Sequence, residues 1–191
     1  QRGFYLVGRS DFAPLMEAMW LHDIASAYIA KKISSSLGIG NPEDLYLANL
    51  FKNIGEPFLL RLISPLNETK ENLLSIKELV KDNHNDFGVL LLKAWKFDDL
   101  TISLCHYHQD FEAKENYDYS GSQPLFLKML HLSRIASFLA EKNGYLKFFR
   151  DYLPSKIPSE ITRSLNFLQI AEDRLLQFVE GVESYLDMLT K

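Results

Sequence analysis

The chain has 191 residues, 47% of them hydrophobic and 24% charged, which excludes a largely disordered protein and allows one substantial core. A net charge of −4 and a pI near 5.7 lack the basic excess that phosphate-backbone binding requires, so no nucleic-acid partner is expected. No apolar run reaches the roughly 18 to 20 residues that cross a bilayer, and nothing at the start resembles a signal peptide. The expectation is therefore no membrane insertion and a cytoplasmic location. The single cysteine, Cys105, sits in the apolar run from Leu100 and reads as a buried thiol in a reducing compartment. Because the chain starts with Gln1 and Arg2 rather than Met, it reads as a trimmed piece of a longer protein.

Helical periodicity recurs throughout, and alternating strand patterns bounded by hairpin turns are absent. The fold class is all-α: a single compact multi-helix bundle occupying residues 1–191. The first helix starts near Ser10 or Asp11 and runs to about Leu37 before Gly38, with a stripe of Leu15, Met19, His22, Ser26, Ile29 and Ile33. Asn41 caps the next helix, Pro42 suits its first position, and Glu43 and Asp44 complement the positive end of its dipole. This helix should reach about Asn53, where Gly55 and Pro57 interrupt before a short helix from Phe58 to Ile63.

Asn67 to Lys81 is amphipathic, and Asn83 then caps a helix carrying His84, Phe87, Gly88, Leu91 and Trp95 on one side. Asp98 opens another that runs to about His108. Asp110 to Gln123 is the long polar break and reads as a loop. Pro124 starts a helix to about Lys142, with Leu127, Leu130 or His131, Arg134 and Phe138 on one face. A long final helix from Ser159 to Met188 follows, striped by Ile161, Leu165, Leu168, Leu175, Phe178, Val182 and Leu186.

The histidines have an ordinary reading: a His on an apolar face is more often a hydrogen-bonded core residue than a ligand. His22 can be satisfied by Ser26, and His84 by Asn83 and Asp86. His106 and His108 are two apart and point to different helical faces.

The order of the segments carries more. Trp20-Leu21-His22-Asp23 is followed by Leu47-Ala48-Asn49-Leu50-Phe51-Lys52-Asn53-Ile54-Gly55, then by Asn83 to Gly88 with Leu90-Leu91-Leu92 and Trp95. Ile102 to His108 and Leu130-His131-Leu132-Ser133-Arg134 come next. This succession, over about Ala18 to Leu139, resembles the HDOD domain, a relative of the HD-domain phosphohydrolases. The resemblance implies an HD-type helical bundle, with residues 140–191 as a C-terminal helical extension.

In active HD enzymes a His, a His-Asp pair and a later Asp hold a divalent metal that activates water. Here the first position is His22, the pair is Lys52 and Asn53, and the later Asp is Arg134. Two of the replacements are cations, so no catalytic residue, metal or cofactor is expected. The glycine-tyrosine-proline signature of cyclic dinucleotide phosphodiesterases is also missing, since Gln109-Asp110-Phe111 follows His108.

Lys52 and Arg134 can pair with Glu56, Asp23 or solvent. Alternatively they turn the vestigial cavity into an anion site for a small anionic or nucleotide ligand, with His22, Asn53, His84 and His108 as donors. Functionally, the resemblance implies a non-enzymatic module of bacterial signal transduction, in roles such as motility, stress response or virulence, acting on protein partners through helical contacts. The terminal helix and the aromatics from Tyr117 to Tyr119 are candidate contact surfaces. The alternative is a divergent metal-dependent phosphohydrolase acting on a nucleotide or phosphoester.

Overall fold

The computed structural model describes residues 13–63, 73–109, 123–143 and 157–190, and among these there is no strand. The protein is all-α. Helix α1 (Ala13–Leu37) is the central rod, lying against α2 (Pro42–Phe51) on one side and α6 (Gln123–Asn143) on another. It is buried well beyond the expected stripe: Met16, Trp20, Ile24, Ala25, Ala27, Ile29, Ala30 and Ile33 are all core. The small residues among them let neighbouring helices approach on several sides.

Asn41 caps α2 as its sequence dictates, its side-chain oxygen accepting from the Glu43 amide at 3.0 Å. The helix ends two residues early, at Phe51, and Lys52 to Ile54 form a turn. Helix α3 (Gly55–Ile63) then begins at Gly55 itself. Pro57 falls in its first turn, where the missing N–H costs no helical hydrogen bond. The glycine is needed for a different reason than interruption, since a Cβ there would land on the carbonyl oxygen of His84. Gly88 repeats the constraint from the other side, because its Cβ would meet the Gly55 nitrogen at 3.4 Å, and it would also meet Cys105 Sγ of a later helix at 2.6 Å. This close crossing seats α3 against α4 (Leu73–Ala94).

Helix α4 corrects the expected break at Asn83. No proline or glycine interrupts the chain before Gly88, so the helix continues, and Asn83 turns its amide back to the Leu79 carbonyl at 2.8 Å. On its inner side Ile76, Val80, His84, Gly88 and Leu92 are buried, whereas Trp95 lies beyond the helix end and is exposed. Helix α5 (Asp99–Tyr107) is capped by Asp98, which accepts from the Thr101 amide at 2.9 Å and the Thr101 hydroxyl at 2.7 Å.

The polar segment 110–122, including Tyr117 to Tyr119, lies outside the described residues, as do 64–72 and 144–156.

The long terminal helix is not formed. Instead α7 (Ser159–Leu168) stops where Gln169 takes a left-handed conformation, with φ of 56°. A 3-10 turn (Glu172–Arg174), α8 (Leu175–Val179) and α9 (Val182–Thr190) follow, with Gly181 at φ of 81° separating the last two. Tertiary contacts override the helical periodicity here. Lys32 of α1 donates to the carbonyls of Gln177 and Glu180 at 2.8 and 2.6 Å, satisfying acceptors that the end of α8 leaves open. Tyr185 stacks on Tyr28 at 4.5 Å and shares a 2.9 Å hydrogen bond with Tyr46. Folding back thus buries Ile170, Leu175, Phe178 and Val182 in the main core.

Candidate functional site

A cleft of about 870 Å³ opens between α1, α6 and the start of α7, with its floor formed by the α2–α3 turn and the end of α5. Of the six residues singled out from the sequence, His22, Asn53, His108 and Arg134 line it. Lys52 and His84 do not; they are 1% exposed and lie outside the lining.

Lys52 is among the largest fully buried side chains of the described residues. Its ammonium donates to Ser26 Oγ at 2.5 Å and to Asn49 Oδ1 at 2.9 Å. Ser133 of α6 also donates to Asn49 Oδ1, at 2.7 Å, and Asn49 Nδ2 donates to the Leu45 carbonyl at 2.9 Å. One cation therefore ties α1 to the end of α2 directly and to α6 through Asn49. Burial lowers its pKa to about 8, the Asp23 carboxylate opposing part of that shift. The expected pairing of Lys52 with Glu56, Asp23 or solvent is thus replaced by two neutral acceptors. Ser26, whose hydroxyl serves Lys52, makes no bond to His22; that ring lies 3.3 Å from Asp23 Oδ1 instead.

Asp23 is 1% exposed and accepts from Asn53 Nδ2 at 2.7 Å. Beside it, Glu56 is pushed up to about 7, first by burial and then by the Asp23 charge, with His22 opposing. A sequence pattern gives no sign of this. The Gly55–Gly88 crossing also sets Glu56 Oε1 3.6 Å from His84 Nε2.

The two buried imidazoles share one arrangement. His84 Nδ1 donates to the carbonyls of Lys81 at 2.8 Å and Val80 at 3.2 Å, rather than meeting Asn83 or Asp86. His108 Nδ1 donates to the Cys105 carbonyl at 2.9 Å. Carbonyls only accept, so in both rings the proton sits on Nδ1 and Nε2 is a bare acceptor. Neither Nε2 has a hydrogen-bond partner among the described residues. Burial lowers both pKa values, that of His108 to about 3 with help from the Lys52 charge. The rings meet edge to face at 5.8 Å. His106, by contrast, is exposed on the other face of α5, as the two-residue spacing requires.

His131 was one of the residues that mark the fifth motif, yet it belongs to no part of the cleft. It lies 2.9 Å from Ser164 Oγ and packs on Phe167 at 4.3 Å, joining α6 to α7. Residues not singled out from the sequence complete the lining. Glu141, two turns beyond Arg134, and Glu160 of α7 are among them, and Lys81, Gln109 and Ser137 add polar groups. Leu15, Met19, Phe138 and Ile161 supply apolar wall.

A divalent metal does not suit this donor set. Lys52 and Arg134 are not metal ligands at neutral pH, and among the described residues no group of three His, Cys, Asp or Glu could hold a metal ion. The described helices also include none long and apolar enough to cross a membrane.

Comparison with solved structures shows the same fold in two proteins of Shewanella amazonensis SB2B. One, provisionally named a metal-dependent phosphohydrolase, superposes with a TM-score of 0.64 at 17% identity, covering 95% of this chain and 63% of that one. The other, provisionally named a phosphohydrolase, gives 0.54 at 17% identity, covering 94% and 62%. At such identity the likeness is one of fold, and this chain spans less than two thirds of either relative. No curated protein matches the chain. The HDOD domain model matches residues 6–111, more than half of the sequence, and the chain belongs to the HDOD domain family.

Proposed function

We propose that this chain is a non-catalytic regulatory module of bacterial signal transduction, acting on protein partners through its helical surfaces and keeping the cleft as a recognition site. The observation that carries the reading is Lys52: a buried ammonium, bonded to Ser26 and Asn49, sits at the position where the family relationship would place a metal-binding pair. With Arg134 in the cleft wall, a divalent ion there faces two fixed cations. At an effective dielectric of about 20, repulsion over a few ångströms is on the order of several kcal/mol. Exposed Leu176, Met188 and Leu189 on α8 and α9, and Phe167 on α7, are apolar contact residues available to a partner.

The competing reading is a divergent phosphohydrolase that loads a metal through His22. Elemental analysis of the purified protein, together with hydrolysis of bis(p-nitrophenyl) phosphate in the presence of Mn²⁺, separates the two. The expected outcome is substoichiometric Mn, Fe, Ni and Zn and no turnover above buffer. Stoichiometric metal with metal-dependent turnover overturns the proposal.

A further inference from the structure

We propose that Glu56 and His84 form a proton-operated latch between α3 and α4: a proton on the carboxyl joins it to the imidazole, and its loss frees the carboxylate to turn into the cleft. The latch belongs to the fold beneath the cleft and holds whether or not the cleft takes a ligand.

The geometry sets two acceptors against each other. His84 is buried and commits its Nδ1 proton to the Lys81 and Val80 carbonyls, so Nε2 offers a lone pair. That nitrogen has no hydrogen-bond partner among the described residues, and Glu56 Oε1 stands 3.6 Å from it, just beyond hydrogen-bond distance. As a carboxylate, Glu56 has only lone pairs to turn toward Nε2, and approach gains nothing. As a carboxylic acid it has one O–H to donate, and a small rotation of the side chain then satisfies both groups. The backbone holds the pair this close, since Gly55 lies against the His84 carbonyl with no room for a Cβ.

The surrounding groups decide which residue carries the proton and what releases it. From α1, the Asp23 carboxylate and the His22 ring act on Glu56. Asp23 accepts from Asn53 Nδ2 at 2.7 Å and has the His22 ring at 3.3 Å, so of the two carboxylates it is the one whose charge is served. Burial first, and then the Asp23 charge, hold Glu56 as the acid up to about 7. From α4, burial lowers His84 and so keeps its ring neutral, with the shared proton on oxygen. His108 of α5, edge to face with His84, is lowered to about 3 and stays neutral through the same range. Lys52 in the α2–α3 turn, lowered to about 8, keeps its charge at neutral pH. Lys81, Arg134, Glu141 and Glu160 are the other charged residues of the cleft lining. Because the folded value of Glu56 lies above the ordinary one, the latch is closed at low pH and opens as pH rises through about 7. The Glu56 side chain is 27% exposed and lines the cleft, so the ionised form has water to turn into.

The test is NMR of the uniformly ¹³C,¹⁵N-labelled chain as pH is raised through 7, following the Glu56 carboxyl carbon and the His84 ring nitrogens. The expected result is one midpoint near 7 in both residues, with His84 Nε2 unprotonated throughout and moving from a hydrogen-bonded to a free acceptor position. In Glu56→Gln the amide donates in place of the acid, so Nε2 should keep its hydrogen-bonded position at every pH. In Glu56→Ala it should keep the free one. Amide hydrogen exchange in α3, compared with Glu56→Gln at the same pH, should become faster in the wild type by on the order of tenfold between about pH 5.5 and 8. A proton on Nε2 at low pH overturns the proposal, because the pair is then an ordinary ion pair. So does a Glu56 midpoint near the usual carboxylate value, a His84 step that persists in Glu56→Gln, or an exchange ratio that does not change with pH.

Discussion

Two polar groups of similar depth behave in opposite ways. Around Lys52, the ammonium has two acceptors, Asn49 Oδ1 takes hydrogen bonds from both Lys52 and Ser133, and Asn49 Nδ2 reaches the Leu45 carbonyl. Around His84 and His108, each ring is fixed on one side by a backbone carbonyl and presents an unserved acceptor on the other. The first group is closed and holds helices together. The second leaves one ring edge without a hydrogen-bond partner, and the titration of Glu56 falls near neutrality beside it. A satisfied buried network specifies structure, whereas a buried acceptor left unsatisfied costs stability.

The sharpest way to break the comparison is Lys52→Ala. It leaves a cavity under the cleft floor and removes the donor shared by Ser26 and Asn49, so a loss of about 3 to 5 kcal/mol is expected in urea denaturation. Lys52→Met fills most of the volume and removes the cost of burying a charge, and should lose less. If Lys52→Ala unfolds at the wild-type midpoint, the ammonium is not the tie that its hydrogen bonds indicate.

The open group is probed by pH. Glu56 binds its proton more tightly in the folded protein, about 7 against an ordinary carboxylate value near 4.5. Its stabilising contribution is therefore complete below pH 4.5 and is lost as pH rises toward 7, by roughly 3 kcal/mol at the limit. The buried histidines have the opposite sign: with folded values lowered, their contribution is present above about 6.5 and lost as pH falls. Glu56→Gln isolates the first effect. Relative to wild type, the variant should gain stability steadily between pH 4.5 and 7, measured by urea denaturation across that range. A difference independent of pH would mean that Glu56 titrates as an ordinary surface carboxylate.

How much of this was legible in the sequence depends on how local each determinant is. The caps at Asn41 and Asp98 act within three residues, and both form as read. Asn83 has the same chemistry, but with no helix breaker before it the chain stays helical and its side chain merely bonds one turn back. The terminal stripe from Ile161 to Leu186 does identify buried residues. Its continuity fails because the break is driven by Lys32 and Tyr28, more than 140 residues earlier in the chain.

The site shows the same division. Ordered motifs pick out His22, Asn53, His108 and Arg134, which do meet around one cleft, and also Lys52 and His84, which are close to it but do not line it. Whether a motif residue faces the cleft or sits behind it depends on which neighbour claims its polar atoms. Ser26 claims Lys52 from 26 residues away, and no spacing within either motif encodes that.

The smallest effect sharpens the comparison within a single helix. Ser133 and Ser137 are one turn apart on α6, the first fully buried and donating to Asn49, the second half-buried in the cleft wall. Ser133→Ala removes one of the two hydrogen bonds to Asn49 Oδ1 but leaves that oxygen the Lys52 donor. The cost should therefore stay near that of one net hydrogen bond, about 1 kcal/mol, rather than that of an orphaned buried acceptor. Ser137→Ala should lie within about 0.5 kcal/mol of wild type, as substitutions on accessible surface usually do. Paired thermal and urea melts of the two variants measure the difference directly. Equal losses would show that the closed network under the cleft and the open wall above it are not energetically distinct.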